Sequence, residues 1–514
     1  MAKYITVVLC ALVLPVCYSA KILAIFPMAI PSHYILGNAL LRGLAEAGHD
    51  VTMISPFSEK KPPKKGSWRD VVLTGFIEKH EERMSAVTKY LSDSVPPVAS
   101  AIAMPLLSVS LTEDILTHKN VRQLIESGEK FDVVIFGQFL DDAVKAFSNL
   151  FNAHLVVFSS ISTNTMINEF VGNPSLPSFA PEFFSNYPPK MSFLERVTNT
   201  LNKVAFTLAL HLYSYPKHAA LAQKYISESI DFNQILYNTS LVLLNSHPSI
   251  STPLPRVPCM VEIGGFHIKP PKKLPEDLQS FLDNSTEGVI YMSMGSHMKS
   301  KDLPVEKREA LLKTFSNLKQ KVLWKWEDDV LPGQPPNVKL GKWLPQQDIL
   351  AHPNVKVFIT HGGLLSTTET VYHGVPIVAI PLMGDQKMNA YGAEVAGYAK
   401  IVHLSELTES KMSSTLNEVL SNPKYRNEVQ RRSQIMRDRQ VHPLDEAIYW
   451  VEYVIRHNGA KHLRVAYLDL AWYQYYLLDV IAFILAVIVV TYLLLRTVLR
   501  YVLRKCRSRK VKSD

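Results

Sequence analysis

Short apolar runs and amphipathic stretches alternate along most of the chain. Lys21-Ile-Leu-Ala-Ile-Phe-Pro27 is almost wholly apolar and ends at a proline, the pattern of a strand buried on both faces. Ser32 can then cap a helix reaching about Ala47, with Leu36, Leu40, Leu41 and Leu44 at helical spacing, and Gly48 stops it. Val51-Thr-Met-Ile54, Phe131-Asp-Val-Val-Ile-Phe136 and His154-Leu-Val-Val-Phe158 read as further strands. Strand and helix in alternation predict an open parallel sheet covered on both faces. The stretch 161–216 breaks the pattern. It is rich in Pro, Phe and Tyr, and its apolar helices, such as Val204–Leu212, read as an insertion that lines an apolar cavity or touches a bilayer. Plain core packing is the commoner origin of such a stripe.

The alternation restarts after Gly264-Gly-Phe-His-Ile-Lys-Pro-Pro-Lys-Lys-Leu-Pro275, where Gly, Pro and Lys crowd together as in a linker. Gly288–Gly295, Val322–Trp326, Val357–Thr360 and Val375–Ile380 form a second set of strands. The predicted fold class is therefore α/β, with two Rossmann-like domains at 21–265 and 286–440 joined by a linker at 266–285. Residues 441–476 read as a crossover helix and a juxtamembrane segment.

Both ends of the chain carry long apolar runs. Val480–Leu495, with flanking residues, is long enough to cross a bilayer, which takes about 20 residues. A transmembrane helix is expected at 477–495, with Trp472, Tyr473, Tyr475 and Tyr476 as an interfacial belt and a basic cytosolic tail at 496–514. At the other end, Lys3, the apolar Ile5–Val16 and the small Ser19 and Ala20 read as a signal peptide, 1–20. The body between them is then lumenal, in a single-pass type I topology. Lys510 and Lys512 resemble a dilysine retrieval signal of the endoplasmic reticulum, with an ordinary basic flank as the alternative reading.

Composition narrows the chemistry. Hydrophobic residues are 47% and charged residues 20% of the 514, which excludes a disordered chain. The net charge is +9, but +7 of it lies in 496–514, so the body offers no nucleic-acid-binding face. Of the four cysteines only Cys259 falls in the lumenal body, so neither an intrachain disulfide nor a Cys-based zinc site forms there. The triplets at Asn238 and Asn284 fit N-glycan acceptors.

In open α/β sheets ligands bind beyond the carboxyl ends of the strands. Val357–Thr360 is followed by His361-Gly362-Gly363-Leu-Leu-Ser366-Thr-Thr-Glu369. The glycines admit a ligand close to the backbone, and a helix starting there aims free N–H groups at an anion. His361 and Ser366 add donors for phosphate, and Glu369 can accept from sugar hydroxyls. The next strand ends in Pro381-Leu-Met-Gly-Asp385-Gln386, an acceptor and a donor at the same edge. These residues read as a nucleotide or sugar-phosphate site.

The run from Phe358 to Gln386 resembles the signature of the UDP-glycosyltransferases, and Trp343-Leu-Pro-Gln346 and Met294-Gly295-Ser296 resemble two further motifs of that family. The likeness, closest to the membrane-bound animal branch of insect type, covers essentially the whole chain. It implies a GT-B arrangement, with the two domains facing across a cleft. It also implies that Trp343 stacks on uracil and Gln346 bonds near the base, while Glu369 takes the ribose hydroxyls. His361, Gly363, Ser366 and Ser296 would hold the diphosphate, and Asp385 and Gln386 the transferred sugar. Leu365 stands where the family often has Asn. His33 matches the catalytic histidine, a base near neutral pH. The family's partner aspartate falls at Gly137 or Gln138 here, and Asp142, with Asp141 beside it, is the expected substitute. With no Asp-x-Asp in the chain, no metal is expected, and no cofactor beyond the UDP-sugar co-substrate.

The expected function is inverting transfer of a hexose, glucose favoured over glucuronic acid, to a hydroxyl of a small lipophilic acceptor such as a phenol, a flavonoid, a steroid-like compound or a xenobiotic. Detoxification or metabolite conjugation would follow. The rival reading is a non-catalytic lipophile-binding membrane protein on the same scaffold. The expected partners are the donor, the acceptor and membrane lipid, without nucleic acid, and a homo-oligomer stays open.

Overall fold

The structure is a computed structural model; it describes residues 19–79, 96–183, 185, 187–188, 190–296 and 299–510. Most of the expected signal peptide and the last four residues, Lys512 among them, lie outside the described residues. The chain divides into a large unit up to Leu463 and a small one from Arg464.

The first sheet of the large unit is built from β1 (Lys21–Ile25), β2 (Asp50–Ser55), β3 (Ser67–Val72), β4 (Val133–Gly137), β5 (His154–Ser159), β6 (Thr239–Leu244) and β7 (Met260–Glu262). They run in the order β3-β2-β1-β4-β5-β6-β7, every neighbouring pair parallel. The central strands carry Val, Ile, Leu and Phe on both faces because helices cover both. One cover is α1 (Pro31–Glu46), which buries Leu36, Leu40, Leu41 and Leu44. Ser32 does not cap it. The N-cap is Ile30, without a side-chain bond, and Pro31 opens the helix with its φ already preset. The other face packs with α2 (Pro97–Thr117) and α3 (Phe193–Ala209), the latter started by a Ser192–Glu195 capping box.

The second sheet holds β8 (Val289–Ser293), β9 (Lys321–Lys325), β10 (Val338–Gly341), β11 (Val355–Thr360), β12 (Ile377–Ala379) and β13 (Ala399–Ile401). Their order is β10-β9-β8-β11-β12-β13, again all parallel. Helix α4 (Glu276–Asp283), inside the stretch expected as linker, puts Leu278 and Leu282 into this sheet's core. Two helices start at the sheet's carboxyl edge, α5 (Leu364–His373) and α6 (Asp385–Val395). Then α7 (Pro443–Arg456) returns to the first sheet, where Ala447, Val451 and Val454 join the cluster of Leu36 and Leu40. A Cβ on Gly43 of α1 would come within 2.7 Å of Leu444, so glycine is what allows this close crossing.

In the small unit, α8 (Leu478–Lys510) is exposed over Leu478–Cys506 and is apolar enough over that stretch to cross a membrane. Tyr467 and Tyr475 pack together just before it, with ring centroids 4.1 Å apart. Both sequon asparagines, Asn238 and Asn284, are exposed at helix ends.

Candidate active site

At the edge of the second sheet, β11 delivers His361 into a cradle made by two glycines. A Cβ on Gly295 would lie 2.5 Å from His361 Cε1, and one on Gly363 would lie 2.5 Å from His361 Nε2. The imidazole therefore occupies space that any other residue at 295 or 363 would fill. Gly295 has φ +89° and Gly362 φ +81°, both left-handed, so a side chain there would also strain the backbone. Gly363 is the N-cap of α5 and offers no side-chain acceptor; Asp385 accepts from the Leu364 N–H, and no capping side chain competes for the other first-turn N–H groups. Ser296 follows Gly295 in the same turn. The cradle thus concentrates backbone donors and one imidazole at the positive end of a helix.

Beneath it lies a buried polar network. Gln346 Nε2 donates to Glu369 Oε2 at 2.6 Å and to Ser366 Oγ at 3.1 Å, while Gln347 Nε2 donates to Glu369 Oε1 at 2.9 Å. Tyr291 OH holds the other end of Gln346 at 3.3 Å. His267 Nε2 stands 3.7 Å from Glu369 Oε1, an electrostatic contact beyond hydrogen-bond range. Burial alone would raise the Glu369 carboxyl, but His267 and the two amides together hold it below its ordinary value. A carboxylate offers about four acceptor positions, so Glu369 keeps capacity for ligand hydroxyls. Trp343 is 72% exposed and presents a bare indole face at this edge, with Lys325 Nζ 6.0 Å from its ring centre. Asp385 opens α6 and accepts from Asn389 Nδ2 at 2.8 Å; burial raises its carboxyl. Gln386, a buried residue, spends its oxygen on the N–H groups of Leu382 and Met383, at 2.9 and 3.2 Å, which fixes that loop and leaves its amide nitrogen outside both bonds.

The first sheet contributes His33, in the opening turn of α1. Its Nε2 lies 3.3 Å from Ser160 Oγ, just past the end of β5, and its ring stands edge-on to Phe139 at 5.5 Å. Asp142 is fully buried rather than solvated at a helix start. It pairs with Lys145 Nζ at 2.9 Å and accepts from Gln138 Nε2 at 3.1 Å. The Lys145 ammonium also sits 3.3 Å from the centre of the Phe170 ring. Burial would raise Asp142, but the charge of Lys145 holds it below the ordinary range. Asp141, equally buried, is pushed up to about 8 by desolvation and then by Asp142. Leu140 between Phe139 and Asp141 has φ +68°, a conformation that costs a non-glycine residue about 1–2 kcal/mol. The loop that meets His33 is therefore strained and rests on one buried cation.

Two contacts join the sheets here. Leu365, in the first turn of α5, packs against the first-sheet cluster that includes Phe26 and Phe158, the residues at the carboxyl ends of β1 and β5. His267, carried on the segment leaving the first sheet, reaches Glu369 in the second. The sequence reading missed His267, Gln347 and Ser160. The only signal for His267 was a histidine inside the glycine-rich Gly264-Gly-Phe-His267 run that otherwise reads as linker. Among the described residues no three His, Cys, Asp or Glu side chains cluster as a metal-holding group.

Residues 20–513 match the family described as UDP-glucoronosyl and UDP-glucosyl transferase. The chain is 37% identical over 499 residues to UDP-glycosyltransferase UGT5 of Dactylopius coccus, covering 95% of this chain and 93% of that one. It is 32% identical to UDP-glucuronosyltransferase 2B13 of Oryctolagus cuniculus, over 99% of each. The solved structure of UDP-glucose: anthocyanidin 3-O-glucosyltransferase in complex with UDP shares the fold, with TM-score 0.55 and 16% identity over 85% of this chain and 99% of that one. The two-sheet architecture is thus of GT-B type, and the chain belongs to the UDP-glucoronosyl and UDP-glucosyl transferase family. It is a glycosyltransferase whose co-substrate is a UDP-sugar and whose other substrate is a small acceptor.

Proposed function

We propose that the protein moves glucose, with inversion, from UDP-glucose to a hydroxyl of a small lipophilic acceptor. The observation that carries this reading is the His361 cradle, which sets an anion-binding helix end beside the Gln346–Glu369 network and the bare Trp343 indole. Uracil stacks on Trp343, the ribose hydroxyls bond to Glu369, and Gln346 lies by the base. The diphosphate is held by His361, Ser366, Ser296 and the Gly363 end of α5, whose fixed dipoles stabilise the charge that grows as UDP leaves. Asp385 and the free amide of Gln386 orient the sugar. His33 Nε2 takes the acceptor proton as the oxygen attacks the anomeric carbon from the face opposite UDP. A relative named UDP-glucosyltransferase 2, 36% identical over 91% of this chain, supports glucose as the sugar.

Asp142 takes the place of the family aspartate indirectly. Through Gln138 it sets the loop on which Phe139 meets His33, so it positions the base rather than touching it. Turnover of Asp141→Asn and Asp142→Asn tests this, and near-wild-type rates for both would rule it out. The body is lumenal in the endoplasmic reticulum, anchored by α8, with glycans at Asn238 and Asn284; a shift on deglycosylation checks the topology. Detoxification or metabolite conjugation is the role that fits. Incubating the full chain in microsomes with labelled UDP-sugars and phenolic or flavonoid acceptors tests the whole reading. Label transfer from UDP-glucose that vanishes in His33→Ala, with UDP still bound, is the expected result. UDP binding with no transfer from any sugar to any acceptor would sink it.

A further inference from the structure

Glu369 is approached from the segment that joins the two sheets as well as from its own sheet. Three consecutive residues of that segment go to three places. Phe266 packs into the first-sheet core beside Phe158, with ring centroids 5.7 Å apart. Ile268 packs into the second-sheet core with Val371 of α5 and Ala390 of α6. His267, between them, is 3% exposed and stands 3.7 Å from Glu369 Oε1. Neither of its nitrogens has a hydrogen-bond partner among the described residues, and both are shut off from solvent. A second route to the same oxygen starts two residues further on. The Lys269 N–H donates to Gln347 Oε1 at 3.2 Å, and Gln347 Nε2 donates to Glu369 Oε1 at 2.9 Å. The Lys272 N–H donates to Asp348 Oδ1 at 2.8 Å, which ties the segment to the short helix Gln346–Leu350.

A buried imidazole with both nitrogens unpaired costs stability. Packing alone would be served better by phenylalanine, a ring of similar shape without polar atoms. The neighbours Phe266 and Ile268 are each fixed in a core, so His267 is held beside Glu369 from both sides. A carboxylate has about four acceptor positions, and Gln346 and Gln347 take one on each oxygen of Glu369. A further donor at Oε1 stops the carboxylate from rotating and leaves the remaining positions aimed at a vicinal diol. His267 is too deeply buried to touch a nucleotide, so it acts through Glu369. We propose that His267 is a positioning residue for the donor: it becomes the third hydrogen-bond donor to Glu369 when the nucleotide loads, and so makes the site select a ribose that carries both hydroxyls. The inference rests on the reading that Glu369 takes the ribose hydroxyls.

The test compares binding of UDP and of 2′,3′-dideoxy-UDP to the detergent-solubilised full chain. The wild-type chain should prefer UDP by at least about tenfold. His267→Phe keeps a ring and removes both nitrogens. It should weaken UDP by about tenfold and leave dideoxy-UDP within about twofold, so that the preference is lost. His267→Gln, which returns an N–H to this position, should restore most of it. With UDP-glucose, His267→Phe should raise KM more than it lowers kcat. In His267→Phe/Glu369→Gln the UDP affinity should lie within about twofold of Glu369→Gln alone, because both changes remove one device. An equal loss for the two nucleotides in His267→Phe overturns the proposal and makes His267 a packing residue, and an unchanged preference overturns it as well. A wild-type chain that binds the two nucleotides equally sinks the ribose reading of Glu369 and this proposal with it; a preference in the wild type that survives in the variant sinks the proposal alone. His267→Leu, also without nitrogens, repeats the comparison independently of how well phenylalanine fits.

Discussion

The two sheets treat buried charge in opposite ways. In the second sheet Glu369 accepts from Gln346 and Gln347 and lies 3.7 Å from His267, so its carboxylate is kept ionised and its geometry is fixed before any ligand arrives. In the first sheet two adjacent carboxylates, Asp141 and Asp142, compete for one buried ammonium, and one of them is driven toward its neutral form. The loop above them adds a left-handed Leu140. Neighbours that all favour the ionised form preorganise the carboxylate of the second sheet. In the first sheet one cation cannot compensate the desolvation of both carboxylates.

The largest effect should come from His33. Replacing it by alanine is expected to lower kcat by about 10²–10⁴-fold with little change in UDP affinity, read by steady-state rates and nucleotide titration. Equal losses in both would move His33 to the donor side of the comparison. Next is Lys145→Met. It strands Asp142 as a buried unpaired charge and should cost about 3–5 kcal/mol of stability in thermal or denaturant unfolding. The Lys145→Met/Asp142→Asn pair should recover a good part of that loss, and no recovery would deny the pairing its importance.

Glu369→Gln removes the acceptor the second sheet protects. Losing hydrogen bonds to a charged group should weaken UDP binding by about 1.5–3 kcal/mol, measured by calorimetry, with the fold intact. The pH response separates the two regions further. Asp141 holds its proton in the fold at pH values where the unfolded chain has released it, so its contribution is full below the ordinary carboxylate range and is lost as pH rises toward about 8. Asp141→Asn should therefore stabilise the protein more at pH 8 than at pH 4; a gain independent of pH would show that Asp141 is not perturbed. Glu369 runs the other way, its contribution being present above the ordinary range and lost as pH falls through its lowered value. The smallest effect is expected for Leu365→Asn, about 1 kcal/mol from lost packing between the sheets, with UDP affinity changing less than in Glu369→Gln.

Strands buried on both faces were readable because continuous Val, Ile and Leu runs of four to six residues have few other uses in a folded α/β body. β3 escaped, since its Ser67-Trp-Arg-Asp-Val-Val72 sequence alternates at a sheet edge, and β7 and β13 are three residues each, too short to show a period. β6 lay unread despite six buried residues, because it follows the irregular insertion. The glycine-rich turn, His361, Glu369 and His33 were legible because their chemistry sits in local order after a strand. By itself the sequence determined the two α/β sheets, the family signature, the apolar C-terminal helix and the placement of most of the charge in the tail, all local in the chain or set by composition. Only the tertiary structure decided that Asp142 pairs with Lys145, that His267 crosses to Glu369 and that Leu365 packs on the other sheet. Those facts depend on which distant segments share a low-dielectric interior, and neither spacing nor periodicity carries that information.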